Sequence, residues 1–136
     1  MRFVMYKQCL EKPLQLIQMT LAVLWIYQGV IPKILFQSNA EINIWQAMGF
    51  ELDMAKICVA LSGLVEIMFG CTFLIWQRTG LIHQLNILGL TGLLLLIMIT
   101  DPLQLTTAFN PMVMNIAMMV LSIVAIQLLK LRNSQL

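Results

Sequence analysis

Long apolar runs alternate with short polar breaks along this chain. The runs cover residues 14–36, 57–76, 81–100 and 112–129, each 18 to 23 residues long. A helix needs about 20 residues to cross a hydrocarbon core ~30 Å thick. Strands of this length would overshoot the core, and unpaired backbone groups are costly in lipid. The pattern predicts four membrane-spanning helices at approximately 14–36, 56–77, 80–100 and 111–130.

The polar breaks carry their own signals. Residues 77–80, QRTG, are short enough to make spans two and three antiparallel neighbours. Residues 101–110 form a modest loop that ends in Asn110-Pro111, a helix start with Asn110 as N-cap and Pro111 at the first helical position. Asp101, next to Pro102, reads as the end of span three. The longest break, 37–55, contains AEINIWQAMG. Asn39 can cap a short helix there, Glu41 falls in its first turn and Gly49 can end it. Ile42, Trp45 and Met48 recur at helical spacing, so a helix at approximately 40–48 should lie on the outer membrane surface with Trp45 at headgroup level. The expected fold is an all-α membrane protein in a single domain. It is an antiparallel four-helix transmembrane bundle with a short outer interfacial helix between spans one and two.

Composition agrees with that reading. The 136 residues are 60% hydrophobic and 10% charged, with a mean hydropathy of +0.89. An ordinary soluble domain is about 45–50% apolar and about 25% charged. The net charge of +2 is too small to point to nucleic acid. Charge does set topology. Arg2, Lys7, Lys12, Arg78, Lys130 and Arg132 fall on one side, whereas Lys33 and Lys56 share the other with Glu41, Glu51 and Asp53. The excess of basic residues places both termini in the cytoplasm, and Trp76 then marks the cytoplasmic interface. The first run is longer than a signal-peptide core of about 7–15 residues and contains Lys33, so it reads as a retained span. Cys9, Cys58 and Cys71 form neither a disulfide framework nor a metal set and read as buried apolar thiols. His83 and Asn86 sit near the cytoplasmic end of span three, and a lone histidine makes no metal site. No phosphate loop, haem-type histidine pair or nucleophile constellation is present, so no catalytic residue is assigned.

The candidate chemistry lies in the outer half of the bundle. Glu66 falls near the middle of span two, in LVEIMFG. A carboxylate at that depth must face the interior and be paired or protonated. Gly63 and Gly70 share its face and would admit a neighbouring helix. Glu66 is either a ligand or proton site, or a polar clasp that fixes packing. Lys33 is its natural partner. Side chains tilt toward a helix N-terminus, so Lys33 on the outward-running span leans into the membrane. Glu66 on the returning span leans outward. Snorkelling of Lys33 to the headgroups is the alternative. Pro32 lacks an N–H, so the helix should kink near Gln28 and free that carbonyl. Gln28, Gly29 and Pro32 share a face with Trp25. Asn115, one turn into span four, lies at a similar depth and either joins the cluster or bonds between helices.

WIYQGVIPKIL, AEINIWQAMGF, LVEIMFG and AFNPMVMNIAMMVLSIVAI together resemble the DoxX-like family of small four-span membrane proteins, over about Trp25 to Ile126. The resemblance carries to Gln28, Gly29, Pro32, Lys33, Glu66, Gly70, Asn110, Pro111 and Asn115. It implies an integral protein of the bacterial cytoplasmic membrane, and some relatives accompany redox enzymes that use quinone. Three functional readings stay open. One is a binding or accessory subunit that holds a quinone or other small lipophilic molecule. Lys33 would then contact a carbonyl or anion, Glu66 would exchange or balance a proton, and Gln28 and Asn115 would orient the ligand. The others are an assembly partner whose polar cluster only fixes packing and a small proton-coupled transporter. An oxidoreductase partner and a homo-oligomer are the protein partners implied.

Overall fold

The computed structural model describes residues 2–106 and 110–134. Residues 107–109, which include Phe109 of the Phe-Asn-Pro element, lie outside the described residues. Among the described residues there is no strand. Helix α1 (Arg2–Gln28) runs directly into a π-helical stretch, Gly29–Leu35. The short helix α2 (Asn39–Ala47) follows, then α3 (Leu52–Ile75), α4 (Gly80–Thr100), a 3₁₀ turn (Pro102–Thr106) and α5 (Pro111–Asn133). Four stretches are long and apolar enough to cross a membrane: Cys9–Leu35, Leu52–Ile75, Gly80–Thr100 and Met112–Asn133. The bundle is all-helical, as the hydropathy pattern requires. Its first helix starts earlier than the apolar run, and Pro13 lies inside it.

Three local expectations change. Pro32 does not leave the Gln28 carbonyl free. The backbone widens to an i→i+5 pattern from Gly29 onward, seen directly in the 3.1 Å bond from Phe36 N–H to the Ile31 carbonyl. In that register the Gln28 carbonyl faces the N–H of Lys33 instead of the missing one of Pro32. Asn39 is not the cap of α2. Ser38 takes that position, its side chain makes no capping bond, and Asn39 is the first residue of the helix. Gly49 does follow the end of α2, with φ +94°, a left-handed conformation in which a Cβ would be strained. The start of α5 is built as expected, with the Asn110 side chain accepting the Val113 N–H at 3.0 Å.

The third change concerns helix adjacency. The tight turn at 77–80 does not make spans two and three packed neighbours. The helices instead pack in the order α3, α1, α5, α4, with α2 lying on α3 and reaching α4. Helices α3 and α4 meet near their turn, where the rings of Phe73 and His83 lie 5.4 Å apart, and do not pack along their length. Glycines explain why α3 prefers α1. A Cβ at Gly63 would fall 2.8 Å from the Gly29 carbonyl oxygen and 2.9 Å from the Lys33 Cβ. A Cβ at Gly70 would sit 3.0 Å from Ala22, Trp25 and Ile26 atoms. The missing side chains let the two backbones touch, which is how small residues promote packing in lipid.

The main core lies at the end of the bundle away from α2. Leu21, Ala22, Trp25, Phe73, Leu90, Met118 and Ala125 form it, all nearly or fully buried. A smaller cluster of Ile42, Ala55 and Val59, with Trp45 against it, seats α2 on α3.

Candidate functional site

Between these two clusters the bundle is hollow. A cavity of about 570 Å³ lies under α2, bounded by α1, α3, α4 and α5. Its walls are mostly apolar: Ile44 and Trp45 come from α2 and Met48 from just beyond its end, Phe69 from α3, and Leu93, Leu96 and Ile97 from α4. Its floor is aromatic. Trp25 packs edge-on to Phe69 at 5.0 Å, and Phe69 to Phe73 at 5.3 Å. The cavity reaches the surface in the α3–α4 seam, where Val65, Leu85 and Gly89 both line it and are exposed.

The polar residues named from the sequence converge here. Lys33, Glu66, Gln28 and Asn115 all line the cavity. Lys33 and Glu66 form a buried ion pair, with Nζ donating to Glu66 Oε1 at 2.5 Å. The pair forms as the opposed tilts of the two helices require, and the π-helical turn sets the position of Lys33. Snorkelling to the surface is not what this lysine does, since it is only 7% exposed. Asn115 is buried and Gln28 half-buried, and neither bonds to the pair. Pro32 lines the cavity beside Lys33. Gly29, Gly63 and Gly70 act one layer back, at the α1–α3 contact. Asn110 and Pro111 serve the start of α5.

Two features escaped the sequence reading. Glu41, in the first turn of α2, reaches down to Lys33, with Oε2 at 3.4 Å from Nζ. One ammonium therefore sits between two carboxylates. The other oxygen of Glu66, Oε2, is buried and has no hydrogen-bond partner among the described residues. Glu41 was legible only as a helix-start acid, because the fold over of α2 brings it back to Lys33.

The second feature is a polar network on the far side of the aromatic floor. Trp25 Nε1 donates to Asn86 Oδ1 at 2.7 Å, and Asn86 Nδ2 donates to Ser122 Oγ at 2.7 Å. His83 Nδ1 lies 3.2 Å from the same hydroxyl. All four side chains are buried. The network ties α1, α4 and α5 together, so His83 and Asn86 are more than residues near a helix end. A signal did exist: a buried tryptophan N–H needs an acceptor, and His83 and Asn86 stand one turn apart. Nearer that end, Gln18 Nε2 donates to the Gln77 carbonyl at 2.5 Å. Among the described residues no three His, Cys, Asp or Glu side chains group to hold a metal ion.

Comparison with known proteins adds one result. The family model described as the DoxX-like family matches residues 22–123, most of the chain, including Gln28, Lys33, Glu66 and Asn115 of the cavity. Neither a curated protein nor a solved structure matches.

Proposed function

The chain belongs to the DoxX-like family, and from that premise we propose that it is a membrane subunit that binds a small lipophilic molecule, with quinones as the candidate class. The observation that carries this reading is the cavity itself. Its volume of about 570 Å³ falls within the ~300–1,000 Å³ of small-molecule sites, which pair apolar walls with a few polar groups. Here the polar group is the Lys33–Glu66 pair, and the apolar walls continue into the α3–α4 seam. A ligand would lay its polar head at the pair and its hydrocarbon in the seam. Gln28 and Asn115 flank that head position. Electron chemistry, in this reading, belongs to an oxidoreductase partner. In the same reading the membrane is a bacterial cytoplasmic membrane, and the basic flanks favour cytoplasmic termini, with the cavity in the outer half.

The test is extraction and mass spectrometry of the protein purified in mild detergent. The expected result is a lipophilic small molecule at near one copy per chain. Its absence would contradict the reading.

A second reading draws on the glycine contacts beside the pair, which favour a clasp that only fixes α1 against α3. The double variant Lys33→Met, Glu66→Gln separates the two. Loss of bound molecule with stability kept supports the binding role. Loss of stability, with no molecule bound in either form, supports the clasp.

A further inference from the structure

Resting on the reading of the cavity as a ligand site, we propose that its occupant presents a hydrogen-bond donor to Glu66 Oε2. The occupant is thus a lipid-soluble hydroxyl compound, a phenol or an alcohol, which within the quinone class means the reduced quinol and not the oxidised dicarbonyl, and it is not an anion. The free valence of the site is an acceptor. Glu66 Oε1 already takes the Lys33 ammonium, while Oε2 is buried without a partner. An ionised carboxylate only accepts hydrogen bonds, and a buried acceptor left unmatched is costly.

The lining does not meet that need. The Trp25 N–H goes to Asn86, and the Ser62 hydroxyl goes to the Val59 carbonyl at 2.8 Å. Gln28, Trp45 and Asn115 line the cavity without reaching Oε2. Nor is the lysine free to serve an anion. Its single positive charge is shared by Glu66 at 2.5 Å and Glu41 at 3.4 Å. With both carboxylates ionised the cluster would carry two negative charges and one positive, which disfavours a phosphate or carboxylate head. A hydroxyl fits both demands, since it donates to Oε2 and its oxygen can accept from the Gln28 or Asn115 amide. The hydrocarbon walls and the exposed seam at Val65, Leu85 and Gly89 take the rest of the molecule.

A matched trio of probes decides the matter: 4-nonylphenol, its methyl ether, and 4-nonylbenzoate. They share a tail and ring, and the ether keeps the acceptor while losing the donor. Binding to the full chain in lipid nanodiscs is read by tryptophan fluorescence, since Trp25 and Trp45 line the cavity, and corrected with protein-free nanodiscs. The phenol is expected to bind roughly 10- to 100-fold tighter than the ether, the span of a hydrogen bond to a charged group, and the benzoate no better than the ether. In Glu66→Gln the preference for the phenol should shrink severalfold. That variant leaves Lys33 with Glu41 alone, and the wild-type comparison stands without it. Equal binding of phenol and ether, or tighter binding of the benzoate, overturns the donor assignment while leaving the cavity as a ligand site. Failure of all three to bind removes the ligand-site reading and this inference with it.

Discussion

Lys33 and Glu66 are worth more as a pair than either is alone. Both are buried, so removing Lys33 leaves the Glu66 carboxylate uncompensated, whereas removing Glu66 leaves Lys33 only Glu41 at 3.4 Å. Breaking a buried pair from one side costs about 3–5 kcal/mol, whereas replacing both partners is often close to neutral. Lys33→Met is therefore expected to lower the thermal midpoint in detergent markedly, and Lys33→Met with Glu66→Gln to recover most of the loss. A double variant no more stable than the single one would refute the pairing. Asn86 offers a second test at this scale. It accepts from Trp25 and donates to Ser122, so Asn86→Leu leaves the indole N–H without its acceptor. The expected loss is about 1–3 kcal/mol, measured by thermal unfolding. Ser122→Ala should cost less, because Asn86 keeps the Met118 carbonyl at 3.3 Å. Of these contacts, Lys33–Glu66 was legible because tilt and depth are properties of single helices. Asn86–Trp25 was not, because it depends on which faces of α1 and α4 meet.

Among the helices, glycine decides which pairs close and which stay apart. Gly29 and Gly63 bring α1 and α3 into backbone contact. Gly89, on the cavity side of α4, has nothing within 4 Å of the position a Cβ would take. The same substitution should thus have opposite consequences at the two places. Gly63→Val is expected to cost about 1–3 kcal/mol or more by overpacking, and Gly89→Val to leave the thermal midpoint nearly unchanged. Equal losses at both positions would contradict the assigned packing. The π-helical turn is a further element-scale result. Pro32 announced a disturbance in the sequence, but a kink and a widened turn both answer a missing N–H, and the choice rests on the neighbouring helix. The short connection at 77–80 says less about adjacency than its length suggests, for a similar reason. A tight turn fixes where two helices begin, not whether they stay in contact.

For the molecule as a whole, hydropathy settled the number of spans and the all-helical class, because lipid leaves the backbone few options. The order of packing and the hollow beneath α2 were not legible. They arise from the sum of many side-chain contacts, with glycines on α3 drawing it to α1 and α2 bridging to α4. The result is a bundle solid at one end and open between α3 and α4 at the other. That opening is the central claim, since it makes the polar cluster reachable from the bilayer. Gly89 allows it to be closed without disturbing the core. Native mass spectrometry of the wild type and of Gly89→Trp, both released from membranes in mild detergent, tests it most directly. A bound lipophilic molecule in the wild type that is lost in Gly89→Trp, at an unchanged thermal midpoint, is the predicted result. A molecule retained equally in both proteins, or found in neither, would contradict the account.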